Sequence, residues 1–263
     1  MMETKTKVVV HPPLPAPTTF RMSPTRPRST VDLEIIVPAY NEAERISTTL
    51  LRTTEYLELQ PWSSRVVVVD NGSSDDTGSV VRRLSREMPG RVPISLIGCG
   101  RPGKGAAVRR GILSGTSRFT GFFDADMATP VETLGVALEH LEMGAAAVIA
   151  SRHCPGSSFV RHQRWGRRLG GMAFRALTRS MVHDVHDTQC GFKFFDRRAI
   201  NQALVQCRTT GFAFDVELLH RLQCEGGRII EVPVAWTDHP SSTFRPFRDG
   251  AASFSSVLHM HKG

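Results

Sequence analysis

From Val31 onward, short apolar runs alternate with stretches of helical spacing, which predicts a regular succession of strands and helices. Leu33-Glu-Ile-Ile-Val37 reads as a strand and Asn41 to Leu59 as a helix, with Asn41 and Glu44 spaced as cap and reciprocal partner. Arg65-Val-Val-Val-Val-Asp70 is a continuous apolar run, the pattern of a central parallel strand covered on both faces. Helices follow at Asp75 to Arg86 and Lys104 to Leu113, with a strand from Ile94 to Ile97 between them. Further strands are predicted at Phe119 to Asp124 and Ala145 to Ser151. Between these two strands a helix should open at Pro130, with Thr129 as its cap and Glu132 completing a capping box. The second half alternates less cleanly: helices at Arg164 to Met181 and Phe214 to Cys224, a strand at Arg228 to Val234 and a last helix at Ala251 to His261. Strand–helix alternation of this kind implies an α/β fold, a mostly parallel doubly wound sheet whose ligands sit beyond the carboxyl ends of its strands.

Composition narrows the picture. Residues 1–30 hold six of the sixteen prolines, with Lys5, Lys7, Arg21, Arg26 and Arg28 against a single Glu3, and read as a disordered basic tail. The net charge of +8 points to anionic company such as phosphates or acidic lipid headgroups. Five scattered cysteines without a C-x-x-C pair are the usage of a reducing compartment, and they read as small buried hydrophobes. No apolar run reaches the about 18 residues of a membrane span, and Val8-Val-Val10 stops at His11-Pro-Pro without forming a signal segment. The expected location is therefore the cytoplasm, with peripheral contact at the inner face of a membrane.

Polar groups recur at the predicted strand ends: Pro38-Ala-Tyr-Asn-Glu42, Asp70-Asn-Gly-Ser-Ser-Asp75, and the pair Asp124 and Asp126. A parallel sheet brings all three to one rim. Tyr40 offers a ring face for a base, Glu42 and Asp70 accept from ribose or imide donors, and Gly72 permits close backbone approach. Two carboxylates one residue apart need water or a cation, and Mg²⁺ or Mn²⁺ shares such oxygens with phosphate groups. Arg101-Pro-Gly-Lys-Gly-Ala106 places Lys104 before a helix, where it can meet a diphosphate; it is not a nucleotide-triphosphatase loop. A nucleic-acid-binding role would leave the acidic strand ends unexplained and electrostatically counterproductive. His183-Asp-Val-His-Asp187 resembles a metal cluster only superficially.

The motifs Ile36-Val-Pro-Ala-Tyr-Asn-Glu42, Val69-Asp-Asn-Gly-Ser73, Gly103-Lys-Gly-Ala106, Asp124-Ala-Asp-Met-Ala-Thr-Pro130 and Ser151-Arg152 resemble those of family 2 glycosyltransferases with the GT-A fold. Asp187-Thr-Gln-Cys-Gly-Phe-Lys193, Phe212-Ala-Phe-Asp-Val-Glu-Leu-Leu219 and Glu231-Val-Pro-Val-Ala-Trp-Thr237 extend the likeness toward the dolichyl-phosphate β-glucosyltransferase branch. The resemblance covers residues 31–248, implying one GT-A domain there, with 249–263 a C-terminal helix or tail. It implies that Pro38, Tyr40, Glu42, Asp70, Gly72 and Lys104 hold the nucleotide and that Asp124 and Asp126 hold the metal and diphosphate. It also implies that Ser151, Arg152 and Arg167 receive the acceptor phosphate, and that Asp215 occupies the general-base position of hydroxyl-glycosylating relatives. Asp187, Gln189 and Glu217 are further site candidates from the same motifs.

The implied reaction is inverting transfer of a hexose, glucose favoured, from a UDP-sugar to a polyprenyl phosphate. An ionised phosphate needs cations rather than a base, and Arg161, Arg164, Arg167 and Arg168 crowd around Trp165. Where relatives commonly read G-S-K-L this chain reads Ser241-Ser-Thr-Phe244, so Thr243 replaces a lysine. That departure keeps open the hydroxyl of a soluble small molecule as acceptor, in which case Asp215 would be required as general base.

Overall fold

In the computed structural model, residues 31–88, 90–159, 174–175, 177–236 and 257 are described. The predicted basic tail, Arg161, Arg164, Trp165, Arg167, Arg168, Thr243 and, apart from Val257, the last predicted helix lie outside them. Val66 to Val69 are at most 2 % exposed, as their unbroken apolar run requires. Each such burial contributes about 1.5–3 kcal/mol. They belong to β2 (Ser64–Asp70), which lies between β1 (Leu33–Ala39) and β3 (Ile94–Gly98), all parallel. Five more elements continue the alternation: α1 (Ile46–Glu58), α2 (Thr77–Glu87), α3 (Lys104–Leu113), β4 (Phe119–Phe123) and α4 (Thr133–Glu142). Next come β5 (Ala147–Ser151), β6 (Ser158–Phe159), β7 (Phe192–Asp196), α5 (Arg197–Gln206) and α6 (Phe214–Cys224), then β8 (Ile229–Pro233) and β9 (Ala235–Trp236).

The main sheet has seven strands in the order β3-β2-β1-β4-β7-β5-β8, and β6 pairs with β9 in a small second sheet. Side chains of α1, α2 and α4 pack on one face around Leu33, Ile35 and Val37, and those of α3, α5 and α6 on the other around Ile36. The chain runs outward from β1 to β3 and then returns to β4 on the other side of β1. A crevice therefore opens beyond the carboxyl ends of β1 and β4, where the direction of winding changes.

Several details depart from the sequence reading. β7, not predicted, enters antiparallel between β4 and β5, and α5 was likewise not predicted. Asp196 caps α5, its Oδ1 accepting from the Arg198 and Ala199 amides. The first helix begins at Ile46 rather than Asn41, because Asn41 is left-handed (φ 55°) and its Oδ1 accepts from the Ser74 amide instead of capping. The expected capping box at Thr129 is absent: α4 begins at Thr133, and the Thr129 hydroxyl lies 3.7 Å from the Cys190 sulfur. Of the helix predicted over Arg164 to Met181, residues 174–175 and 177–179 are helical. Cys190 and Cys207 are buried as expected, but Cys99 and Cys154 are half-buried and Cys224 is exposed.

Candidate active site

The loops after β1 and β2 are tied together by short polar contacts. The amides of Asn41, Glu42 and Ala43 donate to Ser73 Oγ (3.0 Å), Thr77 Oγ1 (2.8 Å) and Asp75 Oδ2 (3.1 Å). Asp70 Oδ1 accepts from the Ser73 amide, and Gly72 takes φ 81° with open space where a side chain would stand. Tyr40 is left exposed on the rim and Pro38 half-buried at the end of β1. The nucleoside candidates Pro38, Tyr40, Glu42, Asp70 and Gly72 thus share two adjoining loops.

Asn71 extends this scaffold to the loop before α3. Its Oδ1 accepts from the Gly103 amide at 2.7 Å and its Nδ2 donates to the Arg101 carbonyl at 2.8 Å. Gly103 sits at φ 115°, and any Cβ there would overlap the Thr210 carbonyl. The Ala106 amide donates to that carbonyl at 3.0 Å, and Gly105 leaves no room for a side chain against Phe214. These close approaches bring the start of α3 against the start of α6. Lys104 Nζ consequently lies 2.6 Å from Asp124 Oδ1 and 4.0 Å from Asp215 Oδ2. Burial alone would lower the lysine's pKa, but the Asp124 and Asp215 carboxylates outweigh it and hold it well above its ordinary value.

Asp124 follows β4 directly, its amide donating to the Gly191 carbonyl at 2.9 Å. A Cβ on Gly191 would run into the Asp124 carboxylate, which would have to move aside. Asp126 lies one residue on, with Met127 left-handed (φ 52°) and the Ala128 amide donating to Asp126 Oδ1 at 3.0 Å. Glu42 lies within electrostatic reach of both: burial raises its pKa to about 7 against the pull of Arg45, with Asp126 and Asp124 adding to the rise. Among the described residues there is no cluster of three or more His, Cys, Asp and Glu that could enclose a metal. Asp124, its side chain 41 % exposed, and Asp126 fit a hard divalent cation that completes its oxygen shell with diphosphate and water.

A second corner forms where β5 ends. Arg152 Nε and Nη2 lie 2.6 and 2.8 Å from the two oxygens of Asp187, whose Oδ2 also accepts from the Arg152 amide. Burial would raise the Asp187 pKa, but the guanidinium and these hydrogen bonds hold it far below the usual carboxylate range. Glu231 of β8 fixes this turn by accepting from the amides of His186 and Asp187, each at 2.9 Å. The Arg152 guanidinium lies 5.3 Å from the Trp236 ring and is close enough to Asp124 to feel its charge.

The remaining candidates have structural partners. Ser151 is fully buried, its Oγ accepting from the His153 and Cys154 amides, so it supports the turn that carries Arg152. Gln189 donates its amide to Asp187 and its side chain to the Phe212 carbonyl. Glu217 accepts from the Arg208 and Thr209 amides and pairs with Arg221, fixing the loop that presents Thr210 to α3. In the His183–Asp187 segment, Asp187 pairs with Arg152 and His186 with Glu231. Arg167 lies outside the described residues. Sequence reasoning missed Asn71, Glu231, Gly191 and Lys193. The signal for Lys193 was a lysine flanked by Phe192, Phe194 and Phe195, a charge written into a buried strand.

A mostly parallel sheet thus gathers carboxylates at its switch point, a lysine-bearing loop and an arginine corner on one rim. The family model for glycosyl transferase family 2 matches residues 34–204, and the chain belongs to that family. It is 31 % identical over 234 residues to the dolichyl-phosphate beta-glucosyltransferase of Dictyostelium discoideum, covering 84 % of this chain and 71 % of that protein. The mouse protein of the same name is 33 % identical over 232 residues, with 83 % of this chain and 71 % of that one covered. Among solved structures, glucosyl-3-phosphoglycerate synthase from Mycobacterium tuberculosis with Mn²⁺, UDP and glucosyl-3-phosphoglycerate superposes with TM-score 0.62 at 19 % identity, covering 87 % of this chain and 77 % of that one. A mannosyltransferase from Pyrobaculum calidifontis with GDP-Man and Mn²⁺ gives TM-score 0.60 at 23 % identity, with 88 % and 65 % covered. These two likenesses establish the GT-A fold. The chain is thus a glycosyltransferase in the branch of the dolichyl-phosphate glucosyltransferases.

Proposed function

We propose that this enzyme transfers glucose from UDP-glucose to a polyprenyl phosphate with inversion at the anomeric carbon. The observation that carries the choice of acceptor is the setting of Asp215. Its side chain is 4 % exposed and lies between two ammonium groups, Lys104 at 4.0 Å and Lys193 at 3.4 Å. A carboxylate buried as the counter-ion of two cations has little access to an incoming hydroxyl, and a general base must reach the proton it removes. An acceptor already ionised at neutral pH needs no such base. The names of the curated relatives, with dolichyl phosphate as acceptor, support the same reading.

In this reading Tyr40, Glu42 and Asp70 hold the nucleoside, and Lys104 turns to the diphosphate. A divalent cation on Asp124 and Asp126 would supply charge to offset that developing on the departing diphosphate. Arg152, held by Asp187, and Arg167 would bring the acceptor phosphate up opposite the leaving group. One of its oxygens then forms the new bond to the anomeric carbon as the bond to the diphosphate breaks, which inverts the configuration. The acceptor's tail places the work at a membrane surface; among the described residues no helix is long and apolar enough to cross one.

A panel of UDP- and GDP-sugars, scored for nucleotide diphosphate release with and without polyprenyl phosphate, tests the proposal. UDP release that requires UDP-glucose, the lipid phosphate and Mg²⁺ or Mn²⁺ is expected. Release stimulated equally by a soluble sugar would reject it.

A further inference from the structure

We propose that Lys193 is a positioning residue for the nucleotide-diphosphate site, its buried ammonium fixing Asp215 so that Asp215 keeps Lys104 beside Asp124. The inference rests on the donor reading given above and extends it to a residue deep in the sheet. Lys193 lies in β7, in register with Phe122 of β4 and Ile149 of β5, and is fully buried. An ammonium group taken out of water costs several kcal/mol in real proteins unless it is paired. Nζ meets that demand by donating to the Cys190 carbonyl at 2.5 Å and by standing 3.4 Å from Asp215 Oδ1.

The contact with Asp215 is one of charge. Asp215 Oδ1 makes no hydrogen bond among the described residues, so the carboxylate is held by its two cations and by its place in the first turn of α6. Both ammonium groups also lie near the same ring, Phe122, at 5.4 Å for Lys104 and 5.5 Å for Lys193. Two cations grouped around one ring repel unless an anion stands between them, and Asp215 is that anion. The row Lys193–Asp215–Lys104–Asp124 therefore alternates in sign from the core to the rim. With Lys193 neutral, Asp215 would be left to Lys104 alone and would draw it inward, away from Asp124 and from an incoming diphosphate. A lysine serving only to fill the core would have no such effect at the rim.

The test is UDP affinity in the presence of Mn²⁺, measured by calorimetry on wild type, Lys193→Met, Lys104→Met and the double variant. Loss of an outer partner of a binding group typically costs 10–100-fold, so Lys193→Met should weaken UDP binding roughly tenfold. In the Lys104→Met background the same change should cost less than about twofold, because its effect is transmitted through Lys104. Wild-type affinity in folded Lys193→Met, or fully additive losses, would overturn the proposal. If Lys193→Met does not fold, Lys193→Gln, which removes the charge but keeps a donor for the Cys190 carbonyl, enters the same cycle with the same expectations and the same refuting outcomes. Wild-type protein that binds no UDP with Mn²⁺ overturns the donor reading beneath the proposal. Wild-type binding with an unaffected Lys193→Met overturns the proposal alone.

Discussion

Replacing Asp187 by Asn removes one charge from the Arg152 corner and keeps the shape. Asp187 is 1 % exposed and accepts three hydrogen bonds from Arg152, through Nε, Nη2 and the amide. The Asn oxygen can keep part of that set, but its NH₂ would face a guanidinium donor. Removing one partner of a buried ion pair costs about 3–5 kcal/mol. The Arg152 side chain is 17 % exposed and can recover some hydration, so the low end applies, about 3 kcal/mol. With a urea dependence of about 3 kcal/mol/M, the unfolding midpoint should fall by about 1 M. The sign of the pH dependence follows from the depressed pKa of Asp187 in the folded protein. The stabilisation is fully present above the unfolded-state value of about 3.9 and is lost as pH falls below it toward the folded value. Urea melts of both proteins at pH 7, 5 and 3.5 should therefore show the full gap at the first two and a smaller one at the third. A gap below about 1 kcal/mol at pH 7, the range of an exposed pair, would refute the reasoning. So would a gap unchanged at pH 3.5.

Three further outcomes are expected. Asp126→Ala should leave the urea midpoint near wild type and abolish transfer; full wild-type activity in excess chelator would contradict the role given to Asp124 and Asp126. Gly191→Ala should impair UDP binding with Mn²⁺, because the new Cβ displaces the Asp124 carboxylate; titration calorimetry showing wild-type affinity would count against that placement. Glu42, its pKa raised to about 7 by burial, should make the metal-free protein lose stability as pH rises from 4.5 to 7, since the unfolded chain gives up that proton first. Melts of Glu42→Gln at pH 5 and 7.5 should show a flatter dependence than wild type, and equal slopes would exclude this origin.

The parallel half of the sheet was legible because its residues obey one rule at a time: Val66 to Val69 are buried on both faces, and Lys104 to Leu113 carries a helical period. β7 was not, because it runs against its neighbours and carries Lys193 among phenylalanines, so no simple period marks it. The two misplaced helix starts share a cause. Asn41 and Thr129 have the chemistry of caps, but tertiary partners use them, the Ser74 amide in one case and Cys190 in the other. In the site, the carboxylates at strand ends were visible because the motif itself sits at the end of an apolar run. Asn71 and Lys193 were not, because each acts on groups far along the chain: Asn71 on Gly103, Lys193 on Asp215. Ser151 and Glu217 carried a motif's signature, and the structure shows them engaged with backbone amides.

The most direct test of the proposed chemistry compares a polyprenyl phosphate with the matching polyprenol as acceptors for labelled glucose from UDP-glucose. The two lipids differ only in the ionised group that makes a general base unnecessary. Label entering the organic phase with the phosphate and not with the alcohol is the predicted result. Equal transfer to the alcohol, abolished by Asp215→Asn in a variant that still binds UDP, would contradict it and make Asp215 the base.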